Sequence, residues 1–154
     1  MRRRATRHWH VPRYSRVMTN VRWRPGDPVD WEHPGELWTA GGLHSFVLET
    51  IGARTGQVRH AVLGYLDEAN DAWLVIASKG GAPTNPAWVA NLAAQPDATV
   101  VLADGTRVPV HAERLEGDEL EEAWRRIAEE APEYPVYRSK TTREIPVIRL
   151  ARRP

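Results

Sequence analysis

The 154-residue chain contains no cysteine. That excludes a disulfide framework, thiolate catalysis, zinc fingers and iron–sulfur clusters. It has no apolar run of the ~20 residues a bilayer-spanning helix needs. The longest uncharged stretch, residues 80–96, is broken by three prolines and two glycines. The basic N-terminus has no apolar core segment and so is not a secretory signal. Lysine is nearly absent: 19 of the 21 basic residues are arginine, and the only lysines are Lys79 and Lys140. There is no GxSxG, no HExxH, and no P-loop or dinucleotide glycine pattern. The six histidines (8, 10, 33, 44, 60 and 111) show no metal spacing. His44, His60 and His111, placed singly in strands, read as structural. An enzyme so lacking in nucleophile and base would take its chemistry from a cofactor.

What is present reads as one domain with an arm. The composition, 42% hydrophobic and 27% charged, suits a globular fold that needs no staple. The overall charge of +1 hides a split. Residues 1–24 hold eight arginines and no acid, leaving 13 basic and 20 acidic groups in the rest, a net of −7. The arm interleaves arginine with Trp9, Tyr14 and Trp23. It suits a poorly ordered arm or one lying on its own acidic domain, then an anionic membrane surface; no nucleic-acid role is expected. Residues 25–36, rich in proline and glycine, read as a linker. The division is therefore an arm and linker over 1–36 and a domain over 37–154, placed in the cytoplasm or peripherally on the inner face of the cell membrane.

Periodicity predicts strands at 43–51, 58–66, 72–78, 98–103, 106–114 and 145–150. In the second strand Ala61, Leu63 and Tyr65 share one face, and His60, Val62 and Leu66 the other. Asp104-Gly105 predicts a type I′ turn, and Pro109 an edge or bulge. Thr84 or Asn85 caps a helix beginning at Pro86 and stopping at Pro96. Asp118 and Glu121 suggest a capping box for a helix with Leu120, Trp124 and Ile127 on its apolar stripe, ending at Pro132. Residues 134–140 are irregular or a short helix. The sum is a mainly β fold with helices (α+β): a small closed barrel of about six strands with two or more packed helices.

Two loops look built for an anion. TIGARTGQVRHAVL (50–63) sets Arg54 and Arg59 around a glycine turn. IASKGGAPTNPAWVANL (76–92) runs from a strand end through Ser78, Lys79, Gly80 and Gly81 into a helix, whose N-terminus adds partial positive charge. Either loop alone is a weak signal. With YPVYRSKTTREIPVIRL (134–150), and in this order and spacing, the chain resembles the deazaflavin (coenzyme F420)-dependent nitroreductase family, whose patterns are TTxGRxSGxxRxxPL, VASxGGxxxxPxWxxNL and YxxYxxKTxRxIPVxxL. The likeness covers about Phe46 to Leu150. It departs at Ala53, where the family has arginine, and at Val62, where it has proline.

The resemblance implies a split β-barrel of the FMN-binding type that holds coenzyme F420, with FMN as the alternative cofactor. It implies that Arg54, Thr55, Gln57 and Arg59 meet the phosphorylated tail, and that Gly56, Ala61, Val62 and Leu63 also contact the cofactor. Ala77, Ser78, Lys79, Gly80 and Gly81 would lie along the deazaflavin, and Pro86, Ala87, Trp88 and Asn91 would complete the pocket. No metal is implied. Lys140, Thr141 and Arg143 would brace the C-terminal strand. The implied reaction is hydride transfer from the reduced cofactor to a quinone-like, enone or nitro acceptor. Tyr65, Ser78, Tyr134 and Tyr137 are the candidates for touching that acceptor, because a hydroxyl can bond an oxygen as charge develops there. The competing readings are an FMN oxidoreductase of the same fold and a non-enzymatic cofactor- or membrane-binding protein. The small-molecule acceptor is the expected partner, and the chain a monomer or homodimer.

Overall fold

The computed structural model describes residue 24, residues 26–37 and residues 42–154. Residues 1–23 of the arm, residue 25 and residues 38–41 lie outside the described residues, while Leu37, the expected start of the domain, is described.

Six strands form the body: β1 (Ser45–Ile51), β2 (Val58–Glu68), β3 (Ala72–Ile76), β4 (Asp97–Val101), β5 (Arg107–Arg114) and β6 (Val147–Arg152). They close into an antiparallel barrel in the order β1-β2-β3-β6-β5-β4. Closure leaves no unpaired sheet edge along most of the circuit. Three helices are added: α1 (Ala87–Ala94), α2 (Gly117–Glu130) and α3 (Glu133–Ser139), with a single 3₁₀ turn at Lys79–Gly81. No helix among the described residues is long and apolar enough to cross a membrane.

The alternation of β2 falls as its sequence dictates. Ala61, Leu63 and Tyr65 turn inward onto the main core of Phe46, Leu48, Trp73, Val75, Val100 and Val108. Tyr65 stacks on Phe46 at 4.6 Å, and Phe46 meets Trp73 edge-on at 5.8 Å. Trp88, Val89 and Leu92 of α1 plug into the same core. Leu66 turns outward beneath α2, whose Leu120, Ala123, Trp124 and Ile127 recur at helical spacing and bury a second cluster with Tyr134.

Several local readings are corrected. The Asp104-Gly105 turn is not type I′, since only Gly105 (φ +88°) is left-handed there. The Gly105 N–H donates to the Leu102 carbonyl, and Asp104 accepts from the Thr106 N–H, as in a three-residue hairpin. Consecutive left-handed residues occur instead in the β2–β3 hairpin, at Asn70 (+64°) and Asp71 (+55°), types that tolerate this region. Pro109 causes no bulge. It pairs with Thr99 in unbroken register, one residue before the β5–β6 ladder begins at Val110. Neither helix cap forms: Pro86 and Glu116 occupy the cap positions without side-chain bonds. Asp118 and Glu119 sit in the first turn of α2, where they complement the helix dipole.

The segment read as a linker lies along the barrel. Val29 and Leu37 cover Val47, Val62 and Val101 on the outer face of β1, β2 and β4. The Gly35 N–H donates to the Ala103 carbonyl (2.9 Å), and Ser45 Oγ to the Leu37 carbonyl (2.7 Å). A side chain at Gly105 would strike His33 and the Glu32 backbone, so the second hairpin and this strap fit closely. On the opposite side Arg149 joins four elements, bonding Glu68 (2.7 Å), Glu119 (2.8 Å) and Glu113 (3.4 Å).

Candidate active site

Between β1, β2 and the start of α1 lies a cleft of about 640 Å³, within the size range of small-molecule and cofactor sites. One wall is the turn joining β1 to β2. The turn is tight: the Gly52 N–H donates to the Gln57 carbonyl (2.7 Å) and the Gly56 N–H to the Gly52 carbonyl (2.9 Å). A Cβ on Gly52 would come within 2.8 Å of Thr55 Oγ1, which explains why the position holds glycine. Asn91, buried on α1, anchors this turn to the barrel. Its Oδ1 accepts the Ala53 N–H (2.9 Å), and its Nδ2 donates to Thr50 Oγ1 (3.1 Å).

The turn presents Arg54, and the start of β2 presents Arg59, to the cleft, both exposed. Neither forms an ion pair among the described residues, although Arg107, Arg126, Arg149 and others all pair with carboxylates. Two unpaired guanidiniums beside a braced turn in an acidic domain define a site that favours an anion.

The outer rim is different. His60 stacks on Trp31 at 4.9 Å and bonds Glu49 (3.2 Å), which also holds Arg107 (2.8 Å). Partial burial pushes the Glu49 carboxyl up, but the Arg107 and His60 bonds outweigh it and hold it below its ordinary value.

Of the residues proposed from sequence, Arg54, Thr55, Arg59, Ala61, Ala87, Trp88 and Asn91 line this cleft together. Gly56 and Gln57 belong to its turn. Pro86 immediately precedes α1. Val62 points outward beneath the strap, and Leu63 inward to the main core. Ala77 to Gly81 lie on the segment leaving β3. Tyr65 points into the barrel core, stacked on Phe46. Tyr134 is buried in the outer helical cluster, edge-on to Tyr137, whose hydroxyl donates to Glu133 (3.1 Å). None of the four acceptor candidates, Tyr65, Ser78, Tyr134 and Tyr137, is among the residues lining the cleft, nor are Ala77, Lys79, Gly80, Gly81 and Pro86. Sequence reasoning missed Thr50, Gly52, Ala53, His60 and Ala90 as lining residues. The first three stand within TIGARTG and were open to recognition. Nothing in the sequence brings His60 to the rim, because it depends on Glu49 of the neighbouring strand.

The six-stranded antiparallel barrel, with its cleft between β1, β2 and α1, is the split-barrel fold of F420-dependent reductases. The chain belongs to the F420H(2)-dependent quinone reductase family, whose model matches residues 33–151. It is 39% identical over 116 residues to an F420H(2)-dependent quinone reductase of Mycobacterium tuberculosis H37Rv, covering 73% of this chain and 76% of that one. The solved F420-H2 dependent reductase FDR-A is 36% identical, with a TM-score of 0.61 over 69% of this chain and 92% of its own. A further structure with the same identity and TM-score, covering 69% of this chain and 78% of its own, is a domain-swapped dimer.

Proposed function

We propose that this protein is an oxidoreductase that takes hydride from reduced coenzyme F420 and delivers it to a quinone-like acceptor. The observation that carries the reading is the pair Arg54 and Arg59, without ion-pair partners among the described residues, on the β1–β2 turn that Asn91 fixes in place and on the first residues of β2. A phosphorylated, polyanionic tail suits this donor set, and a cleft of about 640 Å³ suits an extended cofactor. When bound, the reduced deazaflavin would supply a hydride, which carries both electrons of the reduction.

Each part of the chain has a task in this reading. Arg54, Thr55 and Arg59 hold the anionic tail by charge-assisted hydrogen bonds. Trp88, packed into the barrel core, gives the cleft a rigid wall. Ala77, Ser78 and Lys79 position the ring at the end of β3, which requires near-attack placement within about 3–3.5 Å of the acceptor. Tyr65 or Ser78 donates a hydrogen bond where charge develops on the acceptor oxygen. Tyr134 and Tyr137 shape the flank of that segment through α3.

Titration of the purified full chain with coenzyme F420, followed by its fluorescence, tests the reading. Saturation at micromolar cofactor and turnover of a soluble quinone are expected; no binding at that concentration would refute it. The domain-swapped relative supports a homodimer as a form open to the fold. We place the enzyme in the cytoplasm, with residues 1–24 as a contact to anionic membrane. Co-sedimentation with phosphatidylglycerol-containing vesicles should fall about tenfold on deleting residues 1–24; equal binding of both forms would reject the contact.

A further inference from the structure

Among the described residues, Arg143 uses its guanidinium in a way the other arginines do not. Nε donates to the Ala82 carbonyl (2.8 Å) and Nη1 to Asn85 Oδ1 (2.8 Å). Nη2 donates to the carbonyls of Ala77 (3.2 Å) and Ser78 (3.0 Å). All four acceptors are neutral, and all lie on the segment joining β3 to α1. Arg143 forms no ion pair among the described residues, and its neighbour Glu144 is turned to Arg114 instead. The interaction is a planar fork reaching four points spread over nine residues. A lysine, with its donors on one atom, cannot reproduce it.

The segment needs holding. Lys79, Gly80 and Gly81 are successive left-handed residues at φ +45°, +63° and +85°. A lysine there is strained, and such backbone persists only where its surroundings over-determine it. The second restraint is steric. A Cβ on Gly81 would fall 2.7 Å from the Tyr137 carbonyl and 2.9 Å from the Lys140 Cβ. The end of α3 thus packs closely on the segment, leaving no room for a side chain at Gly81, while Arg143 ties the segment down. Both restraints come from residues 137–143, within the third sequence motif.

We propose that Arg143 is the positioning residue for the strand end that carries Ser78 and Lys79. The C-terminal motif thereby acts on the site through the backbone of residues 77–85 and not by touching a ligand. Arg143 was expected to brace the C-terminal strand; its side-chain bonds go to the cofactor-side segment. The proposal rests on the cofactor reading for its effect on binding, but the clamp itself can be measured without any cofactor.

The chain's two lysines make that measurement selective. Endoproteinase Lys-C can cut only after Lys79 and Lys140, and cleavage under native conditions reports how often a segment opens. In cofactor-free full-length protein, R143Q should speed cleavage after Lys79 about tenfold. R143K and R143A should each weaken coenzyme F420 binding about tenfold, and millimolar guanidinium should restore binding to R143A but not to R143K. A merely structural loss would not be rescued selectively in this way. Unchanged cleavage after Lys79 in R143Q, or R143K binding like the unaltered protein, would overturn the proposal. Should R143A fail to fold, R143K and R143Q carry the same comparison. If the unaltered protein binds no coenzyme F420, the cofactor reading falls while Lys-C cleavage still decides the clamp.

Discussion

Replacing Arg54 and Arg59 together by glutamine is expected to weaken coenzyme F420 binding on the order of a hundredfold or more at low salt. A hydrogen bond to a charged group contributes roughly 1.5–3 kcal/mol, and 1.4 kcal/mol is tenfold in affinity. Exposure and counter-ions place these two arginines at the lower end of that range, since both stand open to solvent. The same exposure sets the stability result. Neither has a carboxylate partner among the described residues, so no native ion pair is lost and the melting temperature should stay within about a degree. The affinity of the unaltered protein should fall steeply between low and physiological salt, while that of the double variant should barely respond. Isothermal titration at two ionic strengths reads both effects. Equal affinity of variant and parent would remove the two arginines from the site, whatever the family does elsewhere.

The positions of these arginines show how far a sequence can be read. Arg54 and Arg59 were found because glycine, arginine and a short turn leave a local signature, and both do line the cleft. The barrel was legible for the same reason. Strands with a buried face alternate, and β2 alternates over Ala61 to Leu66 without an error of register. The strap over residues 26–37 was not legible. Three prolines and two glycines read as a linker, yet Val29 and Leu37 find an apolar patch made by three strands distant in sequence. Turn type failed at Asp104-Gly105, whose local preference is strong but where only Gly105 is left-handed; a left-handed pair stands at Asn70-Asp71 instead. Asn85 was read as a helix cap because its type favours caps, and it became an acceptor for Arg143, 58 residues away. The Asn85 error has a general cause: a polar side chain with several possible partners is assigned by tertiary geometry, which local pattern does not contain.

Asn91 brings these threads together and carries the second large effect. It is buried and spans α1, β1 and the anion turn with both ends of one amide. Asn91→Ala should leave the Ala53 N–H and Thr50 Oγ1 without their partners in a mostly buried setting. An unmet buried group costs about 1–3 kcal/mol, so two of them, one partly open to solvent, should cost roughly 2–4 kcal/mol. In a chain of this size that is a drop of about 10 °C in melting temperature. Coenzyme F420 affinity should fall at least tenfold as well, because the turn that aims Arg54 and Arg59 is no longer tied to α1. Asn91→Asp separates the two effects. Aspartate keeps an acceptor for the Ala53 N–H, and the Thr50 hydroxyl can turn to donate to the other oxygen. The brace is thus largely retained, but a negative charge is placed at an anion site. This variant should lose much less stability than Asn91→Ala and at least as much cofactor affinity. Thr50→Val, alone and with Asn91→Ala, completes a double-mutant cycle, in which a coupling on the order of 1 kcal/mol is expected. If Asn91→Asp instead binds the cofactor as tightly as the unaltered protein, the phosphate end does not lie beside this turn, and the cleft serves some other part of the ligand.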